Sequence, residues 1–337
     1  MSLSGYKYRK SLTIPSGTVS NDVSNFHYLV YLDSSNFDFS KAKSDGSDIV
    51  FTDTNDNVLN FYKEKYDSTN QIAIYHVKIL TVSASSDTTI YMYYDNPNAT
   101  DQSTTYANVF DNQIAYYPFD GNANDLSGNH NGTWNGTEQY DIGVLCQAAK
   151  FDGSSYITAT DSGFPSGNDN RTISLLLNMS SIASNSSSFG YGTDTDYSRY
   201  TFMVGTNYQI GIGINLANIF YTSGNTINNW YHIIIVLNGT TLNDISFYNN
   251  GILLTTIDSS TNSSYTIDTV LDKLVIGKDV SVSSSAMTGL IDNFRVFNTA
   301  LTADQVALLY KMESKTLFTF GQAKYLSNNT IWFSNNF

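Results

Sequence analysis

Cysteine is nearly missing: Cys146 is the single cysteine in 337 residues. An internal disulfide framework and a cysteine-built zinc site are therefore excluded. Glutamate is scarce as well, confined to Glu64, Glu138 and Glu313 among 30 acidic residues. Strand-borne Glu-x-Asp-x-Glu catalytic motifs cannot occur with that spacing. Only 4 prolines are present. Basic residues number 17, for a net charge of -13, so binding to a phosphate backbone through a basic footprint is not expected. The longest aliphatic run, Ile233 to Leu237, is far too short to span a bilayer. No phosphate-cradling glycine loop followed by Lys-Ser/Thr appears.

What is present is aromatic and turn-forming: 25 Tyr, 19 Phe and 22 Gly, with 41% hydrophobic residues overall. Tyr and Phe favour strands, and Asp, Asn, Ser and Gly favour turns. The composition predicts an all-β protein with polar loops, and its length predicts about two domains. Alternation marks strands at Tyr28–Leu32, Ile72–Ile79 and Thr88–Tyr94 in the first part of the chain. It marks others at Ala115–Phe119, Ser155–Thr158, Thr172–Leu177, Trp230–Leu237 and Ile245–Tyr248. Asn249-Asn250-Gly251 predicts a tight hairpin, whose central residues need positive φ. One helix is expected: Thr302-Ala-Asp-Gln305 is a capping box, with Leu301 placed to staple onto Val306. The expected division is residues 1–108, 109–315 and 316–337. The polar stretch 98–105 forms a linker, and the last segment is an added hairpin or partner-binding arm carrying Phe320, Trp332 and Phe333.

Two stretches resemble known families. Tyr8-Arg-Lys10, Asn36-Phe-Asp-Phe-Ser40, Asp45-Gly-Ser-Asp-Ile-Val-Phe51, Tyr91-Met-Tyr-Tyr-Asp-Asn-Pro97 and Asn108-Val-Phe110 are similar to domain of unknown function 2341, a β-sandwich family. The chain has Asp95 where that family usually has glycine. Ala115-Tyr-Tyr-Pro-Phe-Asp-Gly121, Asp125-Leu-Ser-Gly128, Lys150-Phe-Asp-Gly153, Trp230-Tyr-His232, Phe247-Tyr-Asn-Asn-Gly251 and Gly289-Leu-Ile-Asp-Asn-Phe-Arg295 resemble laminin-G-like, concanavalin-A-like jelly rolls. The second resemblance implies two packed antiparallel sheets over roughly 109–312. It also implies adhesion, glycan binding or structural presentation at a bacterial, archaeal or viral surface.

The loop Asp120 to Asn129 concentrates oxygen ligands, with Asp125 and Asn129 as candidates for structural calcium. The laminin-G resemblance implies Asp125 with Asp292. The alternative for the same loop is an Asx turn without metal. His130, beside it, is the one histidine in a loop that suits a ligand site. Candidate sugar-stacking aromatics are Trp134, Tyr191, Tyr197 and Tyr200, with strand packing as the alternative. Glycosylation sequons begin at Asn98, Asn131, Asn135, Asn170, Asn185, Asn238, Asn262 and Asn328, and at Asn178 within an apolar run.

No catalytic constellation emerges, so a non-enzymatic protein is expected. The first reading is an extracellular, envelope or virion surface protein; because Met1 to Lys10 carries no signal-peptide core, a virion component (spike, turret, fibre or capsid decoration) is expected over a secreted cell-wall protein. Its partners would be cell-surface glycans or other surface proteins, in a homo-oligomer or larger assembly. The alternative is a carbohydrate-binding module or subunit of a secreted glycan-active enzyme.

Overall fold

The structure, a computed structural model, describes residues 3–182, 186–205, 207, 209–281 and 286–326. The chain divides into two compact units, one running to Asp111 and resuming at Lys315, the other spanning Asn112–Ser314. Both are antiparallel β-sandwiches, so the all-β architecture expected from composition is the one observed.

In the first unit a three-stranded sheet (Val23–Asp33, Phe61–Asp67, Ile72–Val82) accompanies a five-stranded one. The larger sheet contains Tyr8–Ile14, Thr88–Tyr94 and Val50–Thr52. Its remaining strands come from the far end of the chain: Thr319–Phe320 and Lys324–Tyr325 each pair with Tyr8–Ile14, not with one another. The described part of the tail is thus sheet edge instead of a free-standing hairpin, and Trp332 and Phe333 lie outside the described residues. The stretch 98–105 is also tied down, since the Thr104 amide donates to Phe61 O at 2.7 Å. The Asp45-Gly-Ser-Asp48 motif has a mechanical role. Buried Asp48 accepts from the amides of Lys43 (2.8 Å), Asp95 (3.0 Å) and Asn96 (3.3 Å), stitching two turns together. Asp95 itself sits at φ 61, the left-handed region that explains glycine there in related sequences.

The second unit stacks two eight-stranded sheets. Strand Arg171–Ser181 shows why both faces of one sheet are apolar. Ile173, Leu175, Leu177 and Met179 enter the core between the sheets, while Leu176 on the opposite face is buried too. A sheet covered on both sides loses simple in/out alternation. The cover is helix Ala303–Glu313, which packs on strand Tyr231–Leu237 and buries Val306, Leu308, Leu309 and Met312. Its capping box forms as the sequence predicts: Thr302 Oγ1 accepts from the Gln305 amide at 3.2 Å, and Gln305 Oε1 accepts from the Thr302 amide at 2.9 Å. The hairpin turn is also as expected, with Asn250 at φ 51 and Gly251 at φ 77. Among the described residues no helix is long and apolar enough to cross a membrane.

A polar layer lies on the helix-covered face. His232 is 2% exposed, bonded to Ser174 Oγ at 2.8 Å and stacked on Tyr310. Burial, helped by the Arg295 charge, brings its pKa down to about 3. An unfolded chain takes up a proton on this side chain near pH 6.5, whereas the folded one refuses it. Stability is therefore present above pH 6.5 and lost as pH falls towards 3. Between pH 7 and pH 5, His232→Gln is expected to lose about 2 kcal/mol less than the parent protein. Urea midpoints at the two pH values check this, and parallel losses would contradict it.

Candidate functional site

The expected calcium loop folds into a self-satisfied knot. Asp125 is 3% exposed. Its Oδ1 accepts from the amides of Tyr116 (2.8 Å) and Ser127 (3.1 Å). Its Oδ2 accepts from the Ser127 hydroxyl, the His130 amide (3.2 Å) and His130 Nδ1 (3.1 Å). His130 Nε2 meets Ser162 O at 3.0 Å. A carboxylate and a carbonyl only accept, so both ring nitrogens carry protons. Burial works against this imidazolium, but Asp125 and the Ser162 carbonyl outweigh it and raise its pKa. Burial likewise opposes the Asp125 carboxylate, but hydrogen bonds from His130 and Ser127 prevail and hold its pKa below the usual range.

Five protein donors thus reach the two Asp125 oxygens, the arrangement of an Asx turn. Asn129 is exposed on the same turn. Asp292 is buried, with Oδ2 accepting from the amides of Val144 (2.8 Å) and Leu145 (3.1 Å). Burial pushes its pKa well above the carboxylate range. Among the described residues no group of three His, Cys, Asp or Glu could hold a metal. A calcium chelator separates the two expectations: a thermal midpoint left unchanged supports the Asx turn without metal. A metal bound only by the folded state would have to shift it.

The four candidate stacking aromatics separate. Tyr191 and Tyr200 are each 0% exposed in the core between the sheets, so neither presents a face to a sugar. They sit on inward positions of strands Ser186–Gly192 and Arg199–Val204. Trp134 is half-buried, packed on Phe151, with Nε1 donating to Tyr140 Oη at 2.9 Å. Tyr197 lines a cavity. Of the sequons, Asn98, Asn131, Asn170, Asn238 and Asn262 are exposed, Asn135 and Asn178 are half-buried, and Asn185 and Asn328 lie outside the described residues.

That cavity, of about 400 Å³, lies wholly within the second unit, and three loops build it. Its walls are Gly167–Asn168, Asp196–Tyr197 and Thr266–Asp268. The Asp196–Tyr197 wall is the tip of the connection between strands Ser186–Gly192 and Arg199–Val204. Gly192 permits this connection to fold back, because a Cβ there would lie 2.5 Å from Ser198 O. Tyr197 itself adopts φ 61, an uncommon conformation for an aromatic residue and one found at ligand clamps. Its ring meets Tyr265 edge-on at 5.3 Å, and Tyr265 is 46% exposed. Backbone bonds join the walls: Asp268 N to Tyr197 O (3.2 Å), Gly167 N to Thr269 O (2.7 Å) and Thr269 N to Gly167 O (3.1 Å).

Beneath them lies Arg171, 0% exposed. Its Nε donates to Asp169 O (2.8 Å), and Nη2 to Ser166 O (3.2 Å) and Gly167 O (2.8 Å). Nη1 donates to Tyr191 Oη (2.5 Å) and Thr269 Oγ1 (3.0 Å). The guanidinium sits 5.2 Å from the Tyr200 ring centroid. One buried fork thus fixes two of the three walls. Of these residues Tyr197 is among those singled out from the sequence, and Arg171, Asn168, Tyr265 and Asp268 are not. Tyr265 did carry a signal, as an aromatic isolated in the polar run Asn262-Ser-Ser-Tyr-Thr266.

The second unit is thus a paired antiparallel sandwich carrying a loop-built pocket. Residues 151–307 match the family model described as the Concanavalin A-like lectin/glucanases superfamily, and residues 45–136 match domain of unknown function DUF2341. The chain therefore carries a DUF2341-like N-terminal module followed by a laminin-G-like jelly roll. No curated protein sequence matches it. Among solved structures it is similar to domain 4 of AbnA, a GH43 extracellular arabinanase from Geobacillus stearothermophilus, in complex with arabinotriose. That likeness has 22% identity and a TM-score of 0.48, covering 59% of this chain and 98% of that one. The botulinum neurotoxin serotype G binding domain is similar at 18% identity and TM-score 0.46, covering 59% of this chain and 50% of that one. The binding domain of Paraclostridial Mosquitocidal Protein 1 follows at 17% and 0.45, covering 60% and 52%. The chain thus spans about half the length of these toxin domains.

Proposed function

We propose that the second unit is a non-catalytic carbohydrate-binding module and that the chain works outside the cell, on its own surface or as part of a glycan-active assembly. The observation that carries this reading is the pocket around Tyr197. Tyr197, on a turn at positive φ, lines the cavity together with Asn168, Asp196, Asp268 and Thr266, residues that carry amide, carboxylate and hydroxyl groups. Sugars offer just these complements, an apolar C–H face and a fringe of hydroxyls. The lectin/glucanase family match over the same residues supports it. This favours the carbohydrate-binding alternative over a spike, turret, fibre or capsid-decoration role, for which no residue-level feature speaks.

A glycan array probed with the intact chain tests the reading. Binding to one sugar class is expected, weakened about tenfold by Tyr197→Ala. An array without signal, or a Tyr197→Ala protein that binds as well as the parent, overturns it.

A further inference from the structure

We infer that the segment 316–326 is exchanged between copies of this protein and joins them, the tail of one copy completing the edge of the five-stranded sheet in another.

The segment is seated on strand Tyr8–Ile14, whose other side is taken by Thr88–Tyr94. Thr319 and Phe320 lie opposite Thr13 and Leu12, and Lys324 and Tyr325 opposite Arg9 and Tyr8. Gly321 N donates to Ser11 O at 2.9 Å, and Leu326 N to Lys7 O at 2.8 Å. Lys10 Nζ lies 5.6 Å from the Phe320 ring centroid, and Tyr325 meets Tyr8 edge-on at 5.4 Å. The seat is selective, because a Cβ at position 321 would overlap Ser11 Oγ. Lifting the tail bares the backbone groups of Tyr8–Ile14, and a bared edge recruits another strand.

The attachment is slight. Of residues 316–326 only Leu317 is buried. Elements with so few buried contacts open at far lower free energy than the core. The hinge favours release as well. Lys315 follows the helix Ala303–Glu313 and its cap Ser314, and it holds φ 59. Helices usually place glycine at that left-handed position, where a longer side chain is strained. A tail passing to another copy opens this turn. The contacts on Tyr8–Ile14 are the same whichever copy supplies the tail, which is the condition for exchanging an identical element.

Magnitudes decide which form dominates. A tethered tail competes with an effective concentration of roughly 1 mM. Strain of one left-handed residue corresponds to roughly a tenfold to hundredfold factor against the tethered form. Joining is therefore expected to set in at roughly 10–100 µM.

Light scattering on the intact chain reads this directly, with monomers at roughly 1 µM and joined copies at roughly 1 mM. Excess synthetic peptide of residues 315–326 should dissolve the joined copies, and its Gly321→Val version should not. Two variants of the intact chain, Thr13→Cys and Thr319→Cys, identify the contact, since the two positions face each other in register. Mixed and oxidised at high concentration, they should form a disulfide from position 13 of one chain to position 319 of the other, found by peptide mass mapping. Lys315→Ala and Lys315→Gly test the hinge. Both lose the ammonium, which lies 4.1 Å from the Tyr31 ring centroid, but only glycine accepts the positive φ freely. The glycine variant is expected to need roughly five- to tenfold higher concentration to join than the alanine variant. A circular dichroism melt checks that each variant is folded.

Monomers at every concentration up to roughly 1 mM overturn the exchange. So do joined copies that the peptide leaves intact, or that lack the disulfide between positions 13 and 319. Equal behaviour of the glycine and alanine variants overturns the part assigned to the hinge.

Discussion

Replacing Glu313 with alanine is expected to destabilise the second unit by about 3–5 kcal/mol. Glu313 ends the helix Ala303–Glu313, and its Oε1 lies 2.7 Å from Arg295 Nη2 on strand Thr288–Phe297. The two side chains are 2% and 0% exposed. Asn293 Nδ2 donates to Glu313 Oε2 at 2.6 Å, and Tyr116 Oη donates to Asn293 Oδ1 at 2.8 Å. The Tyr116 ring lies 4.1 Å from the guanidinium. Truncating the carboxylate strands a desolvated cation in this layer, and its stranding costs more than the pair's own attraction was worth. The double variant Arg295→Met/Glu313→Leu is therefore expected to recover most of the loss, because it removes both charges and refills the volume. Urea unfolding of parent, single and double variants measures both. A single-variant loss under about 1 kcal/mol would mean that the pair behaves as a solvated surface bridge.

Arg171→Lys is the second large effect, and it couples stability to the site. The guanidinium satisfies five acceptors in a fixed plane. A lysine ammonium has three donors and no fork, so at least two buried oxygens lose their partner. Hydrogen bonds from a charged donor contribute about 1.5–3 kcal/mol each, which predicts a loss of about 3 kcal/mol or more. Wall segments 166–169 and 269 should also loosen, so sugar affinity should fall at temperatures where the variant is still folded. Calorimetric titration well below the variant's melting point separates the two effects. A destabilised variant with unchanged affinity would show that Arg171 supports the fold without positioning the pocket.

Local chemistry was readable in the chain wherever a few adjacent residues settle the structure. The capping box at Thr302–Gln305 and the Asn250-Gly251 turn needed no tertiary information. The strand at Thr88–Tyr94 was found to the residue, because turn clusters bound it on either side. The site was legible only in part. Its walls come from segments near residues 167, 196 and 267, and no local signal links them. The tyrosines of the 189–200 stretch look alike in sequence, yet the strand period turns Tyr191 and Tyr200 inward and the turn at Tyr197 points out. Nothing in the local sequence marks Arg171 or Arg295 as buried, and the fold encloses the first among oxygens and pairs the second with a carboxylate. Asp125 reads in sequence as a calcium ligand or an Asx-turn residue, and only the fold shows the five protein donors that reach its oxygens.

Hydrogen exchange with and without the tightest-binding oligosaccharide tests the pocket most directly. Protection is expected in segments 166–169, 194–198 and 264–270, with little change in the first unit, and it should vanish in Tyr197→Ala. Protection centred on Trp134, on the Asp125 loop or on residues before Asp111 would contradict the placement of the binding site.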